Sequence, residues 1–218
     1  MKTEETILER VFDLFLERGI SETSTNEIIR EVKLTKGGFY YIFKSRDDLI
    51  QRVIAKYIKP YYMAPIGWME TIWQERKNSS TEDLLWNCFF EPQRFAHYIE
   101  EVGKTVNFRD FYFLIHEGIK KHPQVASYAE QNMEARQALL RAILERGQVR
   151  KEIIPNVNIA EFSLLVLALQ DGILALKVMD DRIDEEEKFG SIKRQVLRDI
   201  SIKETFESTT GGVDSAVS

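Results

Sequence analysis

Ile7, Leu8, Val11, Phe12, Leu14 and Phe15 recur at steps of three and four, with charged residues between them. That is the spacing of one apolar face on a helix. It predicts an amphipathic helix over 3–18, ended by Gly19, with Ile20 as an apolar anchor beyond the cap. Ser24 followed by Glu27 has the form of a capping box. Ile28, Ile29 and Val32 give a short second helix its buried face. Thr35 is placed to cap a third short helix from Lys36 to Phe43. Ser45 is placed to cap a fourth, with Asp47 and Asp48 in its first turn. The fourth helix is expected to run from Arg46 to about Tyr62, where Pro60 and Pro65 disturb it. Residues 64–80 are mixed, and Thr81 is the expected cap of the next helix. Further helical stretches follow near 81–101, 108–120, 124–147, 159–180 and 184–206, with breaks at His122-Pro123 and across 153–158. No region sustains the alternation of a half-buried strand. The fold class expected is therefore all-α. Ser208 to Ser218 has no apolar cluster and reads as a disordered tail.

The second and third helices are each about eight residues and are joined by about three, the geometry of a helix-turn-helix. With the first long helix they form a three-helix core from Phe12, Phe15, Ile28, Ile29, Leu34, Phe39 and Phe43. This gives an N-terminal DNA-binding domain over 1–46. A larger C-terminal helical bundle follows over 47–207, and a tail over 208–218. The third helix is unusual by propensity. Gly37 and Gly38 each weaken a helix by about 1 kcal/mol relative to alanine. Adjacent glycines near a helix start also let another molecule approach the backbone and leave amides open to a phosphate.

Charge sharpens this reading. The chain carries −5 overall, yet residues 28–59 hold eight basic side chains against three acidic ones. Such an island is a candidate phosphate-binding surface.

The segment from Thr6 to Ile50 resembles the DNA-binding domain of the tetracycline-repressor (TetR) family of bacterial transcription regulators. The resemblance rests on the helix-ending glycine and the capped second helix. It also rests on T-K-G-x-x-Y-x-x-F from Thr35 to Phe43 and on S-R-D-D-L from Ser45. It implies that Thr25 and Asn26 contact phosphate and groove edge, and that Thr35, Lys36, Gly37 and Gly38 lead the recognition helix. It further implies that Tyr40 binds phosphate, that Tyr41 and Ile42 face DNA, and that Lys44 and Arg46 clamp the backbone. Lys33 departs from the family pattern by standing where glycine is common. Gly38 replaces a common serine or threonine, and Ile42 offers a base edge only an apolar contact. The implied function is a cytoplasmic, ligand-responsive repressor. It would bind a palindromic operator in double-stranded DNA as a homodimer and be released by a small-molecule inducer. An activator on the same fold, or a helical ligand-binding protein without DNA binding, remains the competing reading.

Aromatic residues crowd 57–113, with 14 of the chain's 24. An aromatic core accounts for them. So does a pocket for an apolar or aromatic inducer lined by Tyr61, Trp86, Phe89, Phe90, Tyr98, Phe111 and Tyr112. The helix over 159–180 is apolar on many faces. Phe162, Leu165, Leu169, Ile173 and Leu176, with Ile192, Val196 and Ile200 of the last helix, are the expected dimer interface. Ser163, Gln170, Asp171, Gly172 and Lys177 make the apolar run a poor membrane span, and the charged N-terminal stretch predicts no signal peptide. The single cysteine, Cys88, excludes an intramolecular disulfide framework, and the three histidines have no metal-ligand spacing. No cofactor, metal or catalytic residue is expected.

Overall fold

The computed structural model of the chain describes residues 3–90 and 94–200. The expected tail, and the end of the last helix beyond 200, lie outside the described residues. Eleven α-helices make up the described fold. The head consists of α1 (Glu4–Arg18), α2 (Thr25–Glu31) and α3 (Lys36–Ile42). The bundle consists of α4 (Arg46–Val53), α5 (Lys59–Arg76), α6 (Thr81–Leu85), α7 (Arg94–Val102), α8 (Phe108–Lys121), α9 (Pro123–Val149), α10 (Ile159–Met179) and α11 (Glu185–Ile200). The 27-residue α9 runs through its middle, packed on α5, α6, α8 and α10.

Two expectations are corrected. The fourth helix was expected to fail at Pro60 and Pro65, yet helical backbone continues to Arg76. A π-helical turn over Ile54–Ile58 lets the Lys59 N–H reach the Ile54 carbonyl. Pro60 then falls in the first turn of a re-started helix, where its missing N–H costs nothing. The cap of the helix at Thr81 is the preceding residue: the Ser80 hydroxyl accepts from the Asp83 amide. Thr81 is buried instead, donating from both its amide and its Oγ1 to Glu152, at 2.7 and 2.6 Å.

Apolar packing crosses the boundary expected at residue 46. One continuous core joins Phe12, Phe15, Ile28 and Phe39 of the head to Tyr57, Tyr61, Tyr98, Phe111 and Leu114 of the bundle. At its centre Phe12 stacks on Tyr57, centroids 4.3 Å apart and planes within 5°. The head is thus seated on the bundle by aromatic contact, which disfavours free swivelling. A second core, farther along α9, gathers Leu84, Leu85, Cys88, Phe89, Phe90, Leu140, Leu144, Val166 and Val196.

Candidate DNA-binding surface and ligand cavity

Local signals build the head. Ser24 and Glu27 close a reciprocal capping box: the Ser24 amide donates to Glu27 Oε2 at 2.8 Å, and the Glu27 amide to Ser24 Oγ at 3.2 Å. At the other end of α2 the Leu34 amide donates to the Ile29 carbonyl and the Lys33 amide to the Arg30 carbonyl. This is the Schellman pattern, which needs a left-handed residue between helix and exit. Lys33 fills that place at φ 51°. The turn has the shape a glycine would give it, held by a lysine with the attendant backbone strain. Thr35 then caps α3, its Oγ1 accepting from the Gly38 amide at 3.0 Å.

Burying Phe39 and Phe43 against α1 and α2 leaves the opposite side of α3 outward. Lys36, Gly37 and Tyr41 are exposed there, Tyr41 to 91% and Tyr40 to 48%. Spacings of four place Lys36 with Tyr40 and Gly37 with Tyr41 on one face. A Cβ built at Gly37 would meet no protein atom within 4 Å, whereas one at Gly38 would lie 3.2 Å from Thr35 Oγ1. Nothing inside the chain crowds a side chain at 37. Asn26, Thr35 and Lys44 are exposed, and Thr25, Gly38 and Ile42 are half-buried. Ile42 leans on the head's core.

The basic island divides on folding. Arg52 pairs with Asp48 and Glu4, and Lys56 with Glu5 at 2.6 Å, tying α4 and the turn that follows to α1. Arg46, expected as a backbone clamp, is half-buried. Its Nη2 donates to the carbonyls of Ile20 and Thr23, at 2.6 and 3.0 Å, and so braces the loop between α1 and α2. Lys33, Lys36 and Lys44 stay exposed and form no salt bridge among the described residues.

That same loop is held from the bundle. Glu117 of α8 accepts from the amides of Ile20 (2.8 Å) and Ser21 (2.7 Å). Burial pushes its carboxyl up, but the bonds from Ser21 and Ile20 outweigh burial and hold it below the ordinary carboxylate value. Gly19, at φ 85°, is favoured by its backbone, and a Cβ there would come within 2.7 Å of Glu117 Oε2 and push that carboxylate aside. Sequence reasoning missed Glu117, since no local pattern marks a contact across 97 residues.

The seven residues expected to line one pocket are not brought together. Tyr61 and Tyr112 line a cavity of about 210 Å³ between α5, α8, α9 and α10, with Tyr62, Ile115, His116, Asn132, Arg136 and Asp171. Tyr98 lines a separate cavity of about 350 Å³, with Trp68, His97 and Glu101. Phe111 is fully buried among Phe12, Tyr61, Phe95 and Tyr98. Phe89 and Phe90 belong to the second core, with Trp86 against it. The aromatic crowding thus serves two cores first and a cavity wall second. Arg136 and Asn132 carried no signal in the sequence, whereas Asp171, a charge inside the most apolar helix, did. Tyr112 and His116 of that cavity lie on the helix whose Glu117 grips the head. The His116 ring lies tilted against Tyr112, centroids 4.3 Å apart, and burial keeps its imidazole below the usual value.

The expected dimer residues also divide. Leu165 and Leu176 are exposed, and Phe162, Leu169 and Ile192 half-buried, but Ile173, Val196 and Ile200 are buried in the protomer's own core. The outward side of α10 presents Leu164, Leu165, Ala168, Gly172, Leu176 and Met179.

A capped helix-turn-helix pair on an all-α bundle, with the second helix presenting lysine, glycine and tyrosine outward, defines a DNA-binding regulator. Residues 7–53 match the model of the bacterial regulatory proteins of the tetR family. The curated protein YuxN of Bacillus subtilis (strain 168), described as an uncharacterized HTH-type transcriptional regulator, is 37% identical over 54 residues. That segment is 25% of this chain and only 19% of YuxN's length.

The fold extends the likeness to the rest of the molecule. PfmR, a TetR family regulator of Thermus thermophilus, superposes with a TM-score of 0.58 at 21% identity, covering 88% of this chain and 97% of that one. NemR of E. coli gives 0.58 at 17%, covering 92% and 98%. FadR of Bacillus subtilis, solved with stearoyl-CoA, gives 0.57 at 14%, covering 89% and 98%. Residues 7–53 thus match the DNA-binding domain of the tetR family, and the chain as a whole shares its fold with solved regulators of that family.

Proposed function

We propose that the protein is a ligand-responsive transcriptional repressor of the bacterial cytoplasm. It binds a palindromic operator as a homodimer and leaves it when a small molecule occupies the cavity between α5, α8, α9 and α10. One observation carries the reading: α8 lines that cavity with Tyr112 and His116 and, at the next residue, grips the head's loop through Glu117. An occupant that shifts α8 changes the head's seating, and paired heads must sit about 34–36 Å apart to enter successive major grooves. The ligand acts only through its differential affinity for the two seatings.

Lys36, Gly37, Tyr40, Tyr41 and Lys44 meet the DNA, with Asn26 and Thr35 at the edge. Dimerisation rests on α10. It is apolar enough to cross a membrane, with mean hydropathy 1.8, yet only 22% of that stretch is buried in the protomer. An exposed apolar stripe with Ala168 and Gly172 at its centre suits close packing against a second copy.

The test is a mobility shift of the full chain on the DNA beside its own gene, titrated with salt. Binding that weakens as salt rises, with a defined footprint, supports the reading. Equal affinity for all duplexes, or none, overturns it.

A further inference from the structure

The other cavity, of about 350 Å³, opens between α5 and α7. Pro60 stands at the start of α5, directly after the π turn, and Ala64, Pro65 and Trp68 continue that wall. Tyr98 closes the other side, itself only 2% exposed. Trp68 is half-buried, and the His97 ring lies tilted against it, centroids 5.3 Å apart. The walls are thus apolar and aromatic. The mouth is acidic: Glu100 and Glu101 both line the cavity, and both are exposed. Glu100 meets the imidazole of His97, Oε2 to Nδ1 3.6 Å, and Glu101 forms no salt bridge among the described residues. No lysine or arginine lines the cavity. The lysines next to it in sequence are engaged elsewhere: Lys59 lies over the Tyr128 ring, and Lys104 pairs with Glu9 and Asp13. Tyr98 meets Tyr61 of the first cavity edge-on, centroids 5.7 Å apart, so the two rooms share a partition.

We propose that this cavity binds a small aromatic ammonium ion, its ring between Trp68 and Tyr98 and its cationic head at Glu100 and Glu101. The site is separate from the inducer cavity and does not rest on that reading. The class of ligand follows from charge. Aromatic faces carry negative potential and attract a cation, tryptophan most strongly. Two carboxylates at the mouth act in the same direction, and low-dielectric walls beside them strengthen the attraction. An organic anion meets the same two groups as repulsion. A neutral ring gains only the apolar contact that the walls give any occupant. Size sets the rest: 350 Å³ is the room of about twelve waters at ~30 Å³ each, enough for one or two rings with their head group. Exposed ion pairs and cation–π contacts are individually weak, so the preference for positive charge is expected to be about tenfold.

The experiment is calorimetric titration of the full chain with three probes of one shape: benzyltrimethylammonium, its carbon isostere neopentylbenzene, and benzylsulfonate. The ammonium ion is expected to bind about tenfold tighter than the neutral isostere, with no binding of the sulfonate. That advantage should shrink as salt rises. Glu100→Gln with Glu101→Gln should bring the ammonium ion down to the level of the isostere and leave the isostere unchanged. Both residues are exposed, so folding is not at stake. Ala64→Trp, which fills the cavity, should abolish binding of both probes, and Leu174→Trp, in the wall of the first cavity, should leave both unchanged. A sulfonate that binds as well as the ammonium ion, a preference that survives the paired glutamine substitutions, or no binding of the ammonium ion at millimolar concentration overturns the class of ligand. Binding that persists in Ala64→Trp, or that disappears in Leu174→Trp alone, places the probe outside this cavity and overturns the site.

Discussion

Gly37→Ala is expected to make the protein more stable and a worse DNA binder. The added methyl meets no protein atom within 4 Å, so it brings no clash. The position is helical with an ordinary φ, so alanine removes only the backbone freedom that glycine gives the unfolded chain. That gain is about 0.5–1 kcal/mol. In a chain of this size it raises Tm by about 1–4 °C. On DNA the sign reverses. If glycine is there to let the α3 backbone approach a phosphate, the methyl costs one charge-assisted hydrogen bond of about 1.5–3 kcal/mol. Affinity then falls roughly 10- to 150-fold. Thermal unfolding and fluorescence anisotropy on a footprinted operator fragment measure the two halves. Gly38→Ala is the internal control. Its Cβ presses on Thr35 Oγ1 at 3.2 Å, so it disturbs the cap and gains less stability or loses some. A Gly37→Ala protein that is more stable and binds DNA unchanged refutes the close approach. One that is less stable refutes the account of why glycine is there.

Four further outcomes follow from the same structure. Lys33→Gly should raise Tm, worth about 1 kcal/mol in unfolding experiments, because the residue at φ 51° loses its left-handed strain. Lys36→Ala should weaken binding on every DNA sequence and lower the salt slope by about one, whereas Arg46→Ala should lower thermal stability, because its bonds are to loop carbonyls. Glu117→Gln should destabilise the chain by about 1–3 kcal/mol, measured by denaturant unfolding at pH 7. The folded-state pKa of Glu117 is lowered, so its contribution is full above the ordinary carboxylate value of 4.5 and is lost as pH falls through its own lower value. Wild type should lose its advantage over the variant across that window. Leu165→Lys with Leu176→Lys should give a folded monomer in sedimentation, while Ile173→Lys should unfold the protomer, because Ile173 is buried within it.

What the sequence determined by itself is local. Ser24 with Glu27, Thr35 with Gly38, and Ser45 with Asp48 each close a hydrogen bond within three residues, so the starts of α2, α3 and α4 could be read from residue order. The apolar spacing of α1 likewise named the face it buries, from Ile7 to Phe15. The family resemblance lay in the same stretch, because a helix that must fit a groove constrains neighbouring positions.

Tertiary structure decided everything that depends on distant partners. Pro60 was read as a helix end because the rule is local, and the π turn that absorbs it is stabilised by burial of Tyr57 and Ile58 beside the head. The resemblance makes Arg46 a backbone clamp, and only the fold shows its Nη2 donating to the loop carbonyls of Ile20 and Thr23. The aromatic residues were one cluster in sequence and two cores in space, because one core packs on the start of α9 at Val125 and the other on its later turns at Leu140 to Leu144. Glu117 reaches the head, and Arg136 meets Asp171, only because three-dimensional packing sets α8 against the loop and α9 against α10. Periodicity states that a side chain faces inward and is silent on which partner it meets there.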